Sequence, residues 1–141
     1  MKPKKLKAPT ISEQTIHLGV AQLLHLTAPG YVMWWHTPNG EARSARTGAK
    51  LKRMGVRPGI PDFLLYDTRS GYLYAIEVKT AKGVLSDAQK AWKQQFDQSP
   101  TGRYAVVRST NEASTVIREW FAPQKPRTAP PAAFVAADDR P

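Results

Sequence analysis

Gly59-Ile60-Pro61-Asp62-Phe63-Leu64-Leu65-Tyr66, then Asp67-Thr68-Arg69-Ser70-Gly71, then Tyr72-Leu73-Tyr74-Ala75-Ile76-Glu77-Val78-Lys79 is the stretch that decides the fold. Two apolar runs flank a segment rich in turn residues, the pattern of a β-hairpin. If Asp67 faces Tyr72 at the turn, Tyr66 faces Leu73, Leu64 faces Ala75 and Asp62 faces Glu77. Directly opposed residues of an antiparallel pair have Cβ atoms about 4.5–5.5 Å apart. Lys79 lies two residues beyond Glu77 and so points to the same sheet face. The register brings two carboxylates and one ammonium to one spot, in segments otherwise apolar, where a charge needs a partner or a task.

Two close carboxylates repel unless a cation lies between them or one takes up a proton. Their oxygens suit a hard divalent ion such as Mg²⁺, which binds through one or two carboxylates and keeps several waters. Such an ion activates water and stabilises charge on a phosphoryl oxygen, and a neighbouring lysine assists both. These are the parts of a phosphodiester hydrolase. The plainer reading is a surface hairpin with a salt bridge from Lys79 to either acid, a contact worth little by itself.

The rest of the chain bears on that choice. Its 141 residues suit one domain with a modest core. The net charge is +10, from 21 Lys and Arg against 11 Asp and Glu. That balance favours an anionic partner, nucleic acid before a membrane surface. No apolar run approaches the roughly 20 residues of a spanning helix, and Met1-Lys2-Pro3-Lys4-Lys5-Leu6-Lys7 lacks the apolar centre of a secretion signal. The absence of cysteine excludes disulfides and thiolate metal sites. His17, His25 and His36 form no zinc spacing, and His17 and His25 fit a helix surface. The glycines match neither the dinucleotide nor the P-loop pattern.

Working outward, residues 1–10 form a basic flexible arm. Ser12 caps a helix reaching about Leu26, with Ile11 and Ile16 as a hydrophobic staple and Ile16, Val20, Leu23 and Leu24 as its apolar stripe. Tyr31 to His36 is a strand, followed by a Thr37-Pro38-Asn39-Gly40 turn. Glu41 to Arg57 is polar and basic, with a broken helix weakened by Gly48 and closing at Gly55. Ser86 to Asp97 is a helix in which Ser86 and Gln89 fit a capping box and Ala88, Ala91, Trp92, Gln95 and Phe96 share a face. Tyr104 to Val107 is a further core strand, and Thr110 caps a last helix carrying Val116, Ile117 and Trp120. Residues 122–141 are rich in Pro and Ala and are expected to be disordered. One domain over residues 11–121 remains, of the α/β class, with a mixed central sheet flanked by helices.

Gly59-Ile60-Pro61-Asp62 followed by Glu77-Val78-Lys79 resembles the signature of the PD-(D/E)XK nucleases. With Pro38-Asn39-Gly40, the basic approach Lys52-Arg53-Met54-Gly55-Val56-Arg57-Pro58-Gly59 and Lys82-Gly83-Val84-Leu85-Ser86-Asp87-Ala88-Gln89, the chain is similar to the VRR-NUC family from about Glu13 to Trp120, in the manner of stand-alone phage and bacterial members. The resemblance implies a restriction-endonuclease-like core and a Mg²⁺- or Mn²⁺-dependent endonuclease. It further implies a homodimer acting on branched DNA such as four-way (Holliday) junctions, in DNA repair, in the cytoplasm of a bacterial or phage-infected cell. By position, Asp62, Glu77 and the Val78 carbonyl would be metal ligands, Lys79 would position water, Gln89 would complete the catalytic set, and Glu13 on the first helix would assist the metal.

Each of these residues has a structural alternative. Gln89 is also explained by its cap, and Glu13 by the helix dipole, which favours acids in the first turn. Asp67 fits a turn residue and Asp87 a first-turn acid. Arg43, Arg46, Lys50, Lys52, Arg53 and Arg57, set against one acid and leading to Asp62, are the candidate DNA contacts, with Lys82 on the other side. Such contacts position the backbone and do not read sequence. Trp34, Trp35, Trp92 and Trp120 fit a core or a dimer interface, and no recognition helix is evident. The rivals are a nuclease of other preference (exonuclease, nicking or flap), a non-catalytic nucleic-acid-binding module, and RNA as substrate.

Overall fold

The computed structural model describes residues 9–38 and 44–122. Arg43, the Asn39-Gly40 turn, most of the N-terminal arm and the tail after Ala122 lie outside the described residues. The elements run α1 (Glu13–Thr27), β1 (Val32–His36), α2 (Ala45–Arg53), β2 (Phe63–Asp67), β3 (Leu73–Val78), α3 (Asp87–Gln98), β4 (Gly102–Val107) and α4 (Thr110–Phe121). Each described helix opens on a serine, Ser12, Ser44, Ser86 or Ser109, whose side chain accepts a main-chain N–H from the first turn. No described helix is long and apolar enough to cross a membrane.

The strands form one sheet in the order β1-β2-β3-β4. The β2–β3 hairpin has the register expected from sequence, Tyr66 opposite Leu73, Leu64 opposite Ala75 and Phe63 opposite Ile76. β1 joins β2 antiparallel, whereas β4 returns through α3 to lie parallel to β3. The sheet is therefore mixed, and the parallel pair is the one joined by a helical crossover.

One sheet face carries Val32, Phe63, Leu65, Tyr74, Ile76, Val78 and Val107 against Ile16, Val20 and Leu24 of α1 and Ala113 and Ile117 of α4. This is the core. Burying one such Leu, Ile or Phe contributes about 1.5–3 kcal/mol. On the opposite face α3 covers β3 and β4, with Phe96 edge-on to Tyr104. β3 is thus enclosed on both sides and buried without a break from Tyr74 to Val78. Over β1 and β2 no described helix covers that face, and Met33, Trp35 and Tyr66 are exposed among the described residues.

Some local expectations change. Ile11 is 60% exposed, so it does not staple α1; the Ser12 cap fixes the helix start without it. α4 is capped by Ser109 instead of Thr110, because the extended residue accepts the N–H and Thr110 is already helical. Gly48 sits inside an unbroken α2, and the turn that follows needs Gly55 at φ 94°. Ala91 and Gln95 of α3 are exposed, so its packed face is narrower than its spacing implies.

Candidate active site

The site forms where the β2–β3 hairpin opens, at the end away from its turn. Gly59 brings the chain there. Its φ is 74°, and a Cβ would lie 2.5 Å from the Ala88 carbonyl carbon and 2.7 Å from the Gln89 nitrogen. Only glycine allows this approach to the first turn of α3. Thr37 and His36, at the end of β1, then hold Pro61 and Asp62. The Thr37 N–H donates to the Asp62 carbonyl at 2.9 Å, His36 Nδ1 lies 2.9 Å from the same oxygen, and the Thr37 hydroxyl donates to the Pro61 carbonyl.

Asp62, immediately before β2, and Glu77 of β3 lie next to the Phe63–Ile76 pair. Asp62 Oδ2 accepts the Val78 N–H at 2.8 Å. Glu77 is 2% exposed, and its Oε1 accepts from the Gln89 side-chain amide. Its Oε2 is buried with no hydrogen-bond donor among the described residues. Lys79 Nζ lies 3.5 Å from Glu77 Oε1 and 3.9 Å from Glu13 Oε1 at the start of α1. The Gln89 carbonyl oxygen meanwhile accepts the Ser86 N–H at 2.8 Å, so one side chain closes the capping box and fixes Glu77. The cap and a contact with Glu77 coexist in this one side chain.

The electrostatics of the pair follow from this geometry. Burial, reinforced by the charge of Asp62 and eased by Lys79, pushes the Glu77 carboxyl up to about 7. Burial also raises Asp62, against the Val78 hydrogen bond. Both acids are therefore held away from their preferred ionised state, and the unsatisfied Glu77 oxygen adds to the strain. Such a pair accommodates a cation. Among the described residues no cluster of three or more His, Cys, Asp or Glu side chains is placed to hold a metal. The available set is two carboxylates and main-chain oxygen, which fits a hydrated hard ion better than a transition-metal cage. The Val78 side chain is in the core, leaving only its carbonyl for a ligand role.

The basic residues sit elsewhere. Arg46, Lys50, Lys52 and Arg53 lie on α2, a helix with no buried residue, and all four are exposed, as are Arg57 and Lys82. Arg57 sits over the Trp92 ring at 5.6 Å, and Trp92 Nε1 donates to the Pro58 carbonyl at 3.0 Å. These contacts tie the basic approach to α3 beside the carboxylates. Asp67 and Asp87 are a turn acid and a first-turn acid, as their sequence positions imply.

Sequence reasoning missed three participants. His17, expected on the helix surface, is half-buried against Phe63 and His36, with ring centroids 4.4 and 4.5 Å away. Burial lowers its pKa, while Asp62 acts in the opposite direction. Its position one turn after Glu13, at i+4, was the available signal. His36 and Thr37 left no such signal, because their role depends on strand pairing across 24 to 26 residues.

The VRR-NUC domain profile matches residues 20–111, a segment that begins after Glu13. A solved structure described as a VRR_NUC domain protein superposes with a TM-score of 0.60 at 20% identity, covering 79% of this chain and 89% of its own. A second, described as a VRR_NUC domain, gives a TM-score of 0.51 at 17% identity, covering 77% and 97%. These likenesses concern the fold. No curated protein matches the chain. With the profile spanning more than half of its length, the chain belongs to the VRR-NUC domain family.

Proposed function

We propose that the protein is a metal-dependent DNA endonuclease that hydrolyses phosphodiester bonds, with a preference for branched DNA such as four-way junctions. The observation that carries this reading is the meeting of Asp62, Glu77 and Lys79 at one end of the hairpin, with Glu77 buried and one oxygen left without a donor. Asp62, Glu77 and the Val78 carbonyl would hold Mg²⁺ or Mn²⁺, with Glu13 assisting. Such an ion supplies Lewis-acid activation of water and charge stabilisation at the phosphoryl group.

The chain's own residues do the rest. Gln89 holds Glu77 Oε1 and so orients Oε2. Lys79 is kept between Glu77 and Glu13 by charge and donates to the attacking water or to a phosphoryl oxygen. His36 and Thr37 fix the Asp62 main chain, so the carboxylate does not drift. Lys52, Arg53 and Arg57, with Arg43, Arg46, Lys50 and Lys82, dock the phosphate backbone. A homodimer would present two such sites to a junction with approximate two-fold symmetry. The exposed Met33, Trp35 and Tyr66 offer apolar surface for it.

The test is cleavage of labelled single-stranded, duplex, flap and four-way DNAs with Mg²⁺, Mn²⁺ or EDTA, with Lys79→Ala as control. Metal-dependent cutting of the junction, lost in the variant, is the expected result. Cutting confined to ends or flaps would assign another nuclease preference, and binding without cutting under either metal would assign a binding module.

A further inference from the structure

At the turn end of the same hairpin, remote from Asp62 and Glu77, the last turn of α4 closes an open cleft of about 700 Å³. Its walls are aromatic. Tyr74 packs on Trp120 and on Phe121 with ring centroids 4.9 Å away in each case, and Tyr72 lies 6.2 Å from Tyr74. Two guanidinium groups stand over this floor, Arg69 at 3.2 Å from the Tyr31 ring centroid and Arg103 at 4.9 Å from that of Tyr72. Arg103 is oriented by hydrogen bonds from Nη1 to the carbonyls of Gly102 at 2.6 Å and Pro100 at 3.3 Å. Both arginines are exposed, and neither forms a salt bridge among the described residues.

Two acids also line the cleft, and they differ. Asp67 is committed, its carboxylate accepting the N–H groups of Arg69 at 2.8 Å and Ser70 at 3.1 Å. Glu119 is exposed at the rim. The cleft thus combines ring faces, two fixed cationic planes and one free acid. A simple anion would not use the aromatic floor, and an apolar ligand would not use the arginines. A guanidinium both grips phosphate and stacks on a flat ring. An unpaired base has exposed faces to stack, whereas a base within a duplex has them covered by its neighbours.

We propose that this cleft holds an unpaired nucleotide of a DNA strand, the base against Tyr72 and Trp120 and the phosphate on Arg69 and Arg103. Asp62 and Asp67 are five residue steps apart in extended chain, about 17 Å, so this is a second contact and not part of the candidate active site. The inference rests on the DNA-binding part of the proposed function and not on cleavage.

The experiment uses the full chain in EDTA and compares a short labelled single strand with a duplex of the same sequence by fluorescence anisotropy. The exposed pair Arg69→Gln/Arg103→Gln should weaken single-strand binding roughly tenfold and duplex binding less than about twofold. Glu119→Gln should tighten the single strand. A strand carrying bromodeoxyuridine should cross-link on irradiation to the peptide containing Tyr72 or Trp120. Equal losses on both DNAs, no loss, or cross-links confined to other peptides would overturn the proposal. Cleavage by wild type is scored separately with Mg²⁺ and Mn²⁺. If nothing is cut while the single-strand defect is present, the nuclease reading falls and this one stands.

Discussion

Asp62 and Asp67 stand at the two ends of one strand and are treated in opposite ways. Both are withdrawn from solvent, and burial alone raises a carboxyl pKa. At Asp67 the main-chain N–H groups of Arg69 and Ser70, with the Ser70 hydroxyl and the Arg69 charge, overcome that effect and hold it below the usual range. At Asp62 a single N–H does not, and the group stays raised, with the still more perturbed Glu77 beside it. The turn carboxylate is satisfied by groups of its own turn. On the proposed function, an external cation would complete the carboxylates at the open end. On that reading, the difference separates an acid that builds the fold from acids that would be positioned for chemistry.

The largest effect should come from the open end. Lys79→Ala and Glu77→Ala should each lower cleavage by about a hundredfold or more, with circular dichroism unchanged. Near wild-type rates in Lys79→Ala would remove the lysine from the chemistry.

The next effect is on stability in EDTA. A Glu77 proton retained to about pH 7 when folded is released near the ordinary glutamate value when unfolded. The fold then binds more protons than the unfolded chain. Its extra stability is complete below the unfolded pKa and lost as pH rises through the folded one, a loss of about 3 kcal/mol. Denaturant melts should fall across that window for wild type and by markedly less for Glu77→Gln. Parallel curves would contradict the buried, uncompensated carboxylate.

Asp67→Ala should destabilise by about 1–2 kcal/mol, since it leaves turn N–H groups without their acceptor. Its stabilising effect has the opposite pH sense, present above the unfolded pKa and lost as pH falls through the lowered folded value. A melt insensitive to this substitution would erase the contrast between the two ends.

The smallest change concerns the basic approach. Neutralising Arg53 and Arg57 should reduce the salt slope of DNA binding by about 2, read from affinity against log salt. An unchanged slope would take α2 and Arg57 off the DNA surface.

How much was legible in advance follows from the range of each interaction. The hairpin register and the convergence of Asp62, Glu77 and Lys79 depend on period-two alternation and a local turn, and sequence carries both. The Gln89 capping box is equally local, though its second bond to Glu77 is not. The grip of His36 and Thr37 on residues 61 and 62, the burial of His17 and the open sheet face over Met33 and Trp35 depend on which elements pack together. Apart from the i+4 spacing of Glu13 and His17, no local pattern encodes these. Ile11 shows the converse: its spacing suited a staple, but among the described residues it is left 60% exposed.

The most direct test sets the two aspartates side by side. Asp62→Asn and Asp67→Asn, normalised for folded fraction, would be assayed for DNA cleavage with Mn²⁺. Asp62→Asn should lose activity by about a hundredfold or more, while Asp67→Asn should remain within about twofold of wild type, as expected for a substitution away from the reacting groups. Cleavage surviving in Asp62→Asn, or falling equally in both, would contradict the assignment of the open end as the catalytic one.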